Sequence, residues 1–477
     1  GALAQCGITI EEAFDLPFEE GGSFLPIARV SKPVSICPNT SLYKTRIGFD
    51  EALGPCDLLP APLAPVWREG ALVKPMVNAV APYASPFRAF EKPWGKQAMH
   101  VAMRPFLELS RHFPRAVYTY EESILGISSL KFRSIPRGTA PGFPYVYWLR
   151  DGKRQVFGYK EEYDLTTEEA RKLRIRVAEL ETMALGNRRG SVVFIDFLKD
   201  ELRTPAKVEA VATRLISSAP LDYTVLWRMY FGAFGAAMMK YNIRSGMAPG
   251  MCSYTDWDDL VRHVSKKGPH CFDGDFKAFD SSEQPSVHLL ILEVINAWYD
   301  DGDDNSRVRR VLWEDLVHSR HIGGTGFYQR HIYQWNKSLP SGHPFTTIVN
   351  SIYSLFMLVS AYVQITGDLV GFWDNVSAVT YGDDNIANVS EDLKDRYNQK
   401  TVAVALKDLF GVVYTPSDKG SEFMETTTID NISFLKRRFA RGVDGRWACP
   451  LELSSFLYTV YWCKNKKCEK KIRHDVL

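Results

Sequence analysis

Between Thr166 and Leu185 the chain reads TTEEARKLRIRVAELETMAL, with capping residues in front and aliphatics at helical intervals, and this predicts a helix. After Gly190 the run SVVFIDFLKDELR opens as a β-rich strand and closes in mixed charge, and GPHCFDGDFKAFD repeats that passage from apolar to acidic. Helical spacing returns from Ser286 to Trp298. The glycine-rich HIGGTGFYQRHIYQWN predicts a bent hairpin, PSGHPFTTIVN leads into a long apolar helix, and SAVTYGDDNIANV sets two β-prone arms around a tight acidic turn. Up to about residue 150, Pro60-Ala61-Pro62, Pro65 and the segment RGTAPGFPY from Arg137 punctuate an irregular stretch, which predicts an extended, wrapping region. Helices and strands alternate without a regular βαβ period, internal repeat or low-complexity tract, so the fold class is mixed α/β (α+β).

Two apolar runs qualify this picture. YTVLWRMYFGAFGAAMM from Tyr223 carries Arg228, and SIYSLFMLVSAYVQI from Ser351 is too short for a bilayer, so both predict buried helices and no membrane span. With 477 residues, 45% hydrophobic and 24% charged, the chain can bury a large core in two or three lobes, which excludes a disordered or fibrous protein. The net charge is only +2, so a nucleic-acid partner has to be met by local basic clusters. Eight cysteines without a CxxC pair fit a reducing compartment and argue against zinc; Cys463 and Cys468, close together among lysines, read as ordinary thiols. The chain opens on Gly1 with the acidic EEAFDLPFEE soon after, and neither an initiator methionine nor a basic n-region, which predicts no secretory signal and an end made by a protease or by cloning.

Asp383 and Asp384 sit in Tyr381-Gly382-Asp383-Asp384 between strand-like arms, so the turn would project its acidic side chains together from the end of a hairpin. Two anions that close repel unless a cation is shared. A hard divalent ion with oxygen ligands resolves this, and magnesium, with manganese as a substitute, is the usual choice where phosphates must also be held. A solvated turn accommodates the same residues, since acidic side chains are common in turns. Asp275 and Asp280 in DFKAFD change the balance, because a second strand-borne carboxylate is what a two-metal centre needs. Two such ions lower the pKa of an attacking hydroxyl and stabilise the leaving oxygen of a phosphoryl displacement. Asp275 would then share them with Asp383.

DFKAFD resembles motif A of the positive-strand RNA virus polymerases, SGHPFTTIVN with its SGxxxTxxxN pattern resembles motif B, and YGDDN resembles motif C, in the family's order and separations. KDELRTPAKVEAVATRLI resembles motif F, TPSDKGSEF motif D, Phe434-Leu435-Lys436-Arg437 motif E, GTAPGFPY motif G, and SICPNTSLYKTR the fingertip region. From about Ser31 to Arg437 the chain therefore resembles the RNA-dependent RNA polymerases of picornavirus-like viruses (order Picornavirales). The resemblance implies a right hand of fingers, palm and thumb, the palm an antiparallel sheet backed by helices. It divides the chain into an N-terminal region and fingers (1–265, with early palm helices from about 221), palm with motif A (266–300), a fingers insertion (301–335), palm with motifs B to E (336–437) and a short helical thumb (438–477).

The same resemblance implies a nucleotidyltransferase that copies viral RNA from nucleoside triphosphates. Asp275 and Asp383 would bind both metals, with Asp384 assisting. Asp280, Thr346 and Asn350, beside a loop of Ser341 and Gly342, would sense the ribose 2′-hydroxyl that distinguishes RNA from DNA. Lys199, Lys207 and Arg214 would meet the triphosphate, in a segment that also holds Arg203, and Lys419 would protonate the leaving pyrophosphate. Lys436 and Arg437 would hold the primer backbone, and Thr139 and Ala140 would border the template path. Asp273 precedes the motif A aspartates, falls outside the motif and is expected either to support the metal-binding residues from behind or to be structural. The implied partners are RNA template and primer, nucleoside triphosphates, a tyrosine-bearing peptide primer and other viral replication proteins cut from the same polyprotein, at membrane-associated replication complexes in the host cytoplasm.

Two features depart from the family's pattern. About thirty residues precede the fingertip segment, so Gly1 need not match the family's buried N-terminal glycine, and about forty follow Arg437 where the family has a larger thumb, so a reduced thumb or a chain cut short is expected. The terminal KNKKCEKKIRH from Lys464 offers a basic surface to RNA or simply to solvent. A catalytically inactive RNA-binding scaffold is therefore one alternative. Reverse transcriptase, which shares a palm with paired aspartates, is another, although the Asp280, Thr346 and Asn350 set favours a 2′-hydroxyl that such an enzyme rejects.

Overall fold

In the computed structural model, which describes residue 3 and residues 6–12, 24–36, 39–50, 54–418 and 420–464, the acidic strand runs from His270 to Phe276 inside a four-stranded antiparallel sheet. Its neighbours are Asp384–Val389 on one side and the short Tyr414–Thr415 on the other, with Val376–Tyr381 outermost. The helix Thr346–Thr366 packs on this sheet, flanked by Gln399–Phe410 and Gly95–Leu109, and their buried faces join one large apolar core. Among the described residues Thr346–Thr366 is the one helix long and apolar enough to cross a membrane, at 21 residues longer than its apolar run predicts. It is mostly buried within the protein, as a core helix is.

A second sheet of six strands collects distant parts of the chain in the order Ile10–Glu12, Phe24–Val30, His331–Trp335, Arg320–Gly323, Phe194–Leu198 and Leu215–Ser218. Its pairings are antiparallel except that of Arg320–Gly323 with Phe194–Leu198. The predicted bent hairpin is its Arg320–Trp335 portion, interrupted by a 3-10 turn at Gly326–Arg330. The predicted helices at 166–185 and 286–298 appear as Glu168–Leu185, capped by the Thr167 hydroxyl, and Pro285–Tyr299.

The reading of the first 150 residues as extended is corrected by the helices Pro75–Ala84 and Gly95–Leu109, the second of which lies in the core with Met99, Ala102 and Phe106 fully covered. Proline misled the reading. Pro105 sits inside the helix, where its missing N–H orphans the carbonyl four residues earlier. That carbonyl, on Val101, accepts instead from the Trp373 indole N–H at 2.8 Å. A residue far along the chain thus repairs the defect that local sequence advertises as a helix breaker.

Buried in the six-stranded sheet, Asp196 accepts hydrogen bonds from the Ser217 hydroxyl (2.6 Å) and the Tyr333 hydroxyl (2.6 Å), and pairs with His321 Nδ1 (2.7 Å), whose Nε2 meets the Ser319 hydroxyl (2.6 Å). Serine, histidine and aspartate stand in line, but all are sealed from solvent, so the cluster holds strands together rather than reaching a substrate. Ser217 in turn donates its main-chain N–H to the Ser341 hydroxyl at 3.2 Å. Beside it, a Cβ on Gly342 would lie 2.2 Å from the Ser217 carbonyl oxygen, so only glycine lets the loop reach the strand. Asp196→Ala would leave three buried hydroxyl and imidazole groups without their acceptor and should cost about 3 kcal/mol or more. The check is the thermal unfolding midpoint, which should drop by several degrees; an unchanged midpoint would refute the role given to this cluster.

Candidate active site

The predicted acidic turn is a two-residue turn, Gly382-Asp383, between paired Tyr381 and Asp384. Gly382 has φ 63°, the left-handed region that glycine enters freely, and its N–H donates to the Ser351 hydroxyl at 2.8 Å. The Thr380 hydroxyl donates to the Ser351 carbonyl at 2.8 Å, so the long helix sets the height of the turn. On the other side Gly274 pairs with Asn385, which brings Asp275, the next residue, to the same end of the sheet. Gly274 is required here: a Cβ would fall 1.8 Å from the Tyr414 ring, which passes beneath the strand and donates its hydroxyl to Asn385 Oδ1 at 2.7 Å. Asn385 spends its amide hydrogens on the carbonyls of Gly274 (3.2 Å) and Asp383 (3.0 Å), tying turn and strand together.

The carboxylates brought together feel one another. Burial pushes the Asp384 carboxyl up to about 7, the charges of Asp383, Asp275 and Asp273 push the same way, and the bond from the Leu435 N–H opposes them. Burial likewise takes Asp280 up to about 7, aided by Glu283 and Asp383 and resisted by Asn350 and Arg214. Glu283, fully buried against His288 Nε2 at 2.7 Å, is raised by burial and by Asp383 and was not singled out from sequence. Among the described residues no group of three or more His, Cys, Asp or Glu side chains is arranged to hold a metal ion. The donor chemistry nevertheless fits a hard cation: an oxygen-only set of half-buried, mutually repelling carboxylates at 275, 383 and 384 gains most from a shared divalent ion.

Of the five residues expected at the ribose, Asp280 and Asn350 meet directly, Asn350 Nδ2 donating to Asp280 Oδ1 at 2.7 Å. Asn350 Oδ1 is buried with no hydrogen-bond partner, an acceptor aimed at nothing in the protein. The other three turn elsewhere. The Thr346 hydroxyl donates into its own loop, closest to the His343 carbonyl at 2.8 Å, while Ser341 and Gly342 engage the Leu215–Ser218 strand. Ser341 and Gly342 thus moor the loop against the six-stranded sheet, and Thr346 ties the loop to itself.

Three basic residues of the 199–214 segment gather on Glu201, which sequence reasoning missed. Lys199 and Arg203 lie 3.4 and 3.5 Å from its carboxylate, and Arg214 grips both its oxygens. Burial pushes Glu201 up, but Arg214 and the other cations outweigh it and hold the carboxyl below its usual range. Arg214 also lies in the field of Asp383 and Asp280, whereas Lys207 stands half-buried on the short helix Pro205–Glu209. Lys419 lies outside the described residues.

Phe434, Leu435, Lys436 and Arg437 form a second hairpin, Ser433–Phe434 paired with Arg437–Arg438. Leu435 and Lys436 take φ 53° and 56°, a tight turn that asks non-glycine residues into the left-handed region at about 1–2 kcal/mol each. The Leu435 N–H donates to Asp384 Oδ2 at 2.8 Å, Phe434 is buried as an anchor and Lys436 is exposed at the tip. Arg437 is partly spent on the Cys449 carbonyl at 3.0 Å. Thr139 and Ala140 are exposed, and the Thr139 hydroxyl accepts from Lys153 Nζ at 2.6 Å. Lys153, also unread in the sequence, is buried, and burial with the nearby Arg228 takes its ammonium down to about 8. The helix Leu453–Tyr461 reaches back to the fingertip stretch, where the Thr45 N–H donates to the Tyr461 carbonyl at 2.8 Å.

Residues 56–477 match the family described as viral RNA-dependent RNA polymerase. The replicase polyprotein of Acute bee paralysis virus (strain Rothamsted) is 31% identical over 464 residues, 92% of this chain and 24% of that polyprotein. The replicase polyprotein of Drosophila C virus (strain EB) is 32% identical over 369 residues, 73% of this chain and 21% of its own length. The chain thus spans about a quarter or less of the curated relatives it matches. Among solved structures, the Sicinivirus 3Dpol RNA dependent RNA polymerase superposes with a TM-score of 0.76 and 22% identity over 95% of this chain and 87% of that one. The mixed α/β fold is that of a right-hand polymerase.

The raised carboxyls carry a pH signature. An Asp that titrates near 4 when unfolded and at about 7 when folded binds more protons in the folded state across that window, so its contribution to stability falls as pH rises through it. Asp280→Asn removes this penalty. Its thermal midpoint, taken relative to the unsubstituted metal-free protein, should climb between about pH 5 and about pH 7; a constant difference would rule out the crowding inferred at this site.

Proposed function

Because this chain belongs to the viral RNA-dependent RNA polymerase family, we propose that it extends a primer along an RNA template by nucleotidyl transfer from nucleoside triphosphates, using two divalent metal ions. One observation carries the reading: Asp275 and Asp383 reach the same sheet end beside the Asp280–Asn350 pair, where a buried amide oxygen still lacks a donor. Asp275 and Asp383 would hold the ions, magnesium first and manganese as a substitute, with Asp384 beside them; when bound, such ions activate the attacking hydroxyl and stabilise the leaving oxygen.

The protein's own groups do the positioning. Asn350 Oδ1 is suited to accept from a ribose 2′-hydroxyl, and Asp280, held by Asn350 Nδ2, fixes the amide so that its oxygen faces that hydroxyl. A 2′-deoxy substrate would leave the amide oxygen unpaired, and a site built to bond a hydroxyl discriminates strongly against its absence. Arg214, already in the field of the carboxylates, is suited to the triphosphate, with Lys199 and Lys207 along the approach. Glu201 keeps the arginine and lysine heads gathered before phosphates compete for them. Lys419 is assigned to protonate pyrophosphate, Lys436 and Arg437 to the primer backbone, and Thr139 and Ala140, backed by Lys153, to the template. A tyrosine-bearing peptide primer and other viral replication proteins, at membrane-associated complexes in the host cytoplasm, complete the proposed setting.

Extension of a primed homopolymer tests the reading. The chain should use ribonucleotides in preference to deoxyribonucleotides, and Asp383→Asn should lower the rate about 100-fold or more while RNA binding persists. Asn350→Ala should narrow the preference for the ribose by on the order of 10-fold. Equal extension by Asp383→Asn would exclude the carboxylate assignment, and a preference for deoxyribonucleotides would exclude the substrate class.

A further inference from the structure

The short strand Ser433–Phe434 pairs with Arg437–Arg438 through one edge, and its other edge is held by side chains of the central sheet. Asp273 Oδ2 accepts from the Ser433 N–H at 2.9 Å and Asp384 Oδ2 from the Leu435 N–H at 2.8 Å. The N–H of the strand residue Ser433 and that of the turn residue Leu435 both face the central sheet, so a pair of carboxylates does here what a neighbouring strand would do. The other oxygen of Asp273 accepts from the Ser417 N–H at 3.2 Å, and its main-chain carbonyl accepts from Gln399 Nε2 at 2.9 Å. Gln399 Oε1 in turn accepts from the Met424 N–H at 2.9 Å. The buried residue two places before Asp275 on the same strand is therefore the knot at which the hairpin, Ser417 and, through Gln399, Met424 are fastened.

Resting on the polymerase reading, we infer that Asp273 is a positioning residue for the primer terminus, which it serves by holding the Ser433–Arg438 hairpin at a fixed height above Asp275 and Asp383. The turn at Leu435-Lys436 keeps two non-glycine residues at positive φ, a conformation that persists where the surroundings over-determine it. The bonds from Asp273 and Asp384 supply that determination. An asparagine at 273 keeps one acceptor oxygen for two main-chain donors, so either Ser433 or Ser417 is left facing an N–H and the tie between the hairpin and the segment at Ser417 is cut at one end without loss of side-chain volume.

The experiment uses the full chain on a preassembled primed template, where the rate constant of the first nucleotide addition does not depend on how much enzyme is folded. For Asp273→Asn, addition at saturating nucleotide should slow about 10- to 100-fold, the half-life of the complex against competitor RNA should shorten, and the nucleotide KM should stay within about 3-fold. Ser433→Pro is the companion variant: it removes that donor N–H, on a strand edge outside the ladder, along with the side-chain hydroxyl, and the preceding Ile432 is already extended at φ −108° and ψ 163°, as a residue before proline requires. It should show the same split, including when Asp273→Asn does not fold. Wild-type rates and half-lives in the folded variants would overturn the assignment, as would a rise in KM alone. Failure of the unsubstituted chain to extend any primer would count against the polymerase reading itself.

Discussion

Repulsion among carboxylates that the fold refuses to separate is the constraint on which this structure turns. Asp275, Asp280, Asp383 and Asp384 come from segments more than a hundred residues apart, yet the strand register delivers Asp275, Asp383 and Asp384 to one sheet end and the short helix Phe279–Ser282 that follows the strand adds Asp280. Holding them there costs free energy in the absence of a cation, and the neighbouring residues supply the restraint. Asn385 binds the turn to the central strand, Tyr414 braces Asn385 across the space that Gly274 leaves open, and Ser351 fixes the turn from the helix below. None of these groups needs to touch a substrate. They keep charged groups from relaxing apart, which is the preorganisation that phosphoryl transfer relies on.

Local chemistry was legible where it was local. The acidic hairpin, the strand before it, the capped helix at 168–185 and the long apolar helix all follow from periodicity and turn residues. The Gly95–Leu109 helix was not, because Pro105 signals a break and its remedy, Trp373, lies far away in the sequence. Ser341, Gly342 and Thr346 were found as a motif, but the work of Ser341 and Gly342 depends on a strand that only the folded chain places beside them, while Thr346 closes the loop from within. Glu201 and Lys153 stood among many charged residues, and nothing in their neighbours marks one as the counter-ion of a cationic cluster and the other as a buried prop. Asp273 is set apart from motif A by the sequence, but what it holds is not legible there: it meets main-chain amides, which no side-chain pattern encodes.

The two sheets divide the labour. The four-stranded sheet carries the charges, while the six-stranded sheet, tied internally by Asp196, provides the strand on which the 341–342 loop is moored. Through Ser217 the two bodies of structure meet at a glycine too close to bear a side chain, so the loop beside the Asp280–Asn350 pair takes its position from a sheet that contributes none of the carboxylates.

The pairing of Phe24–Val30 with His331–Trp335 also bears on how the molecule is born. At roughly 5–20 residues added per second, the early strand waits on the order of 15–60 s on the ribosome before roughly 300 further residues supply its partner. Throughout that interval its ladder edge is open to the wrong neighbour, together with Ala28 and Val30, which the folded protein buries. Nascent chains of this protein therefore have reason to depend on chaperones, and crowded synthesis at high temperature is the condition under which they would be lost to aggregation.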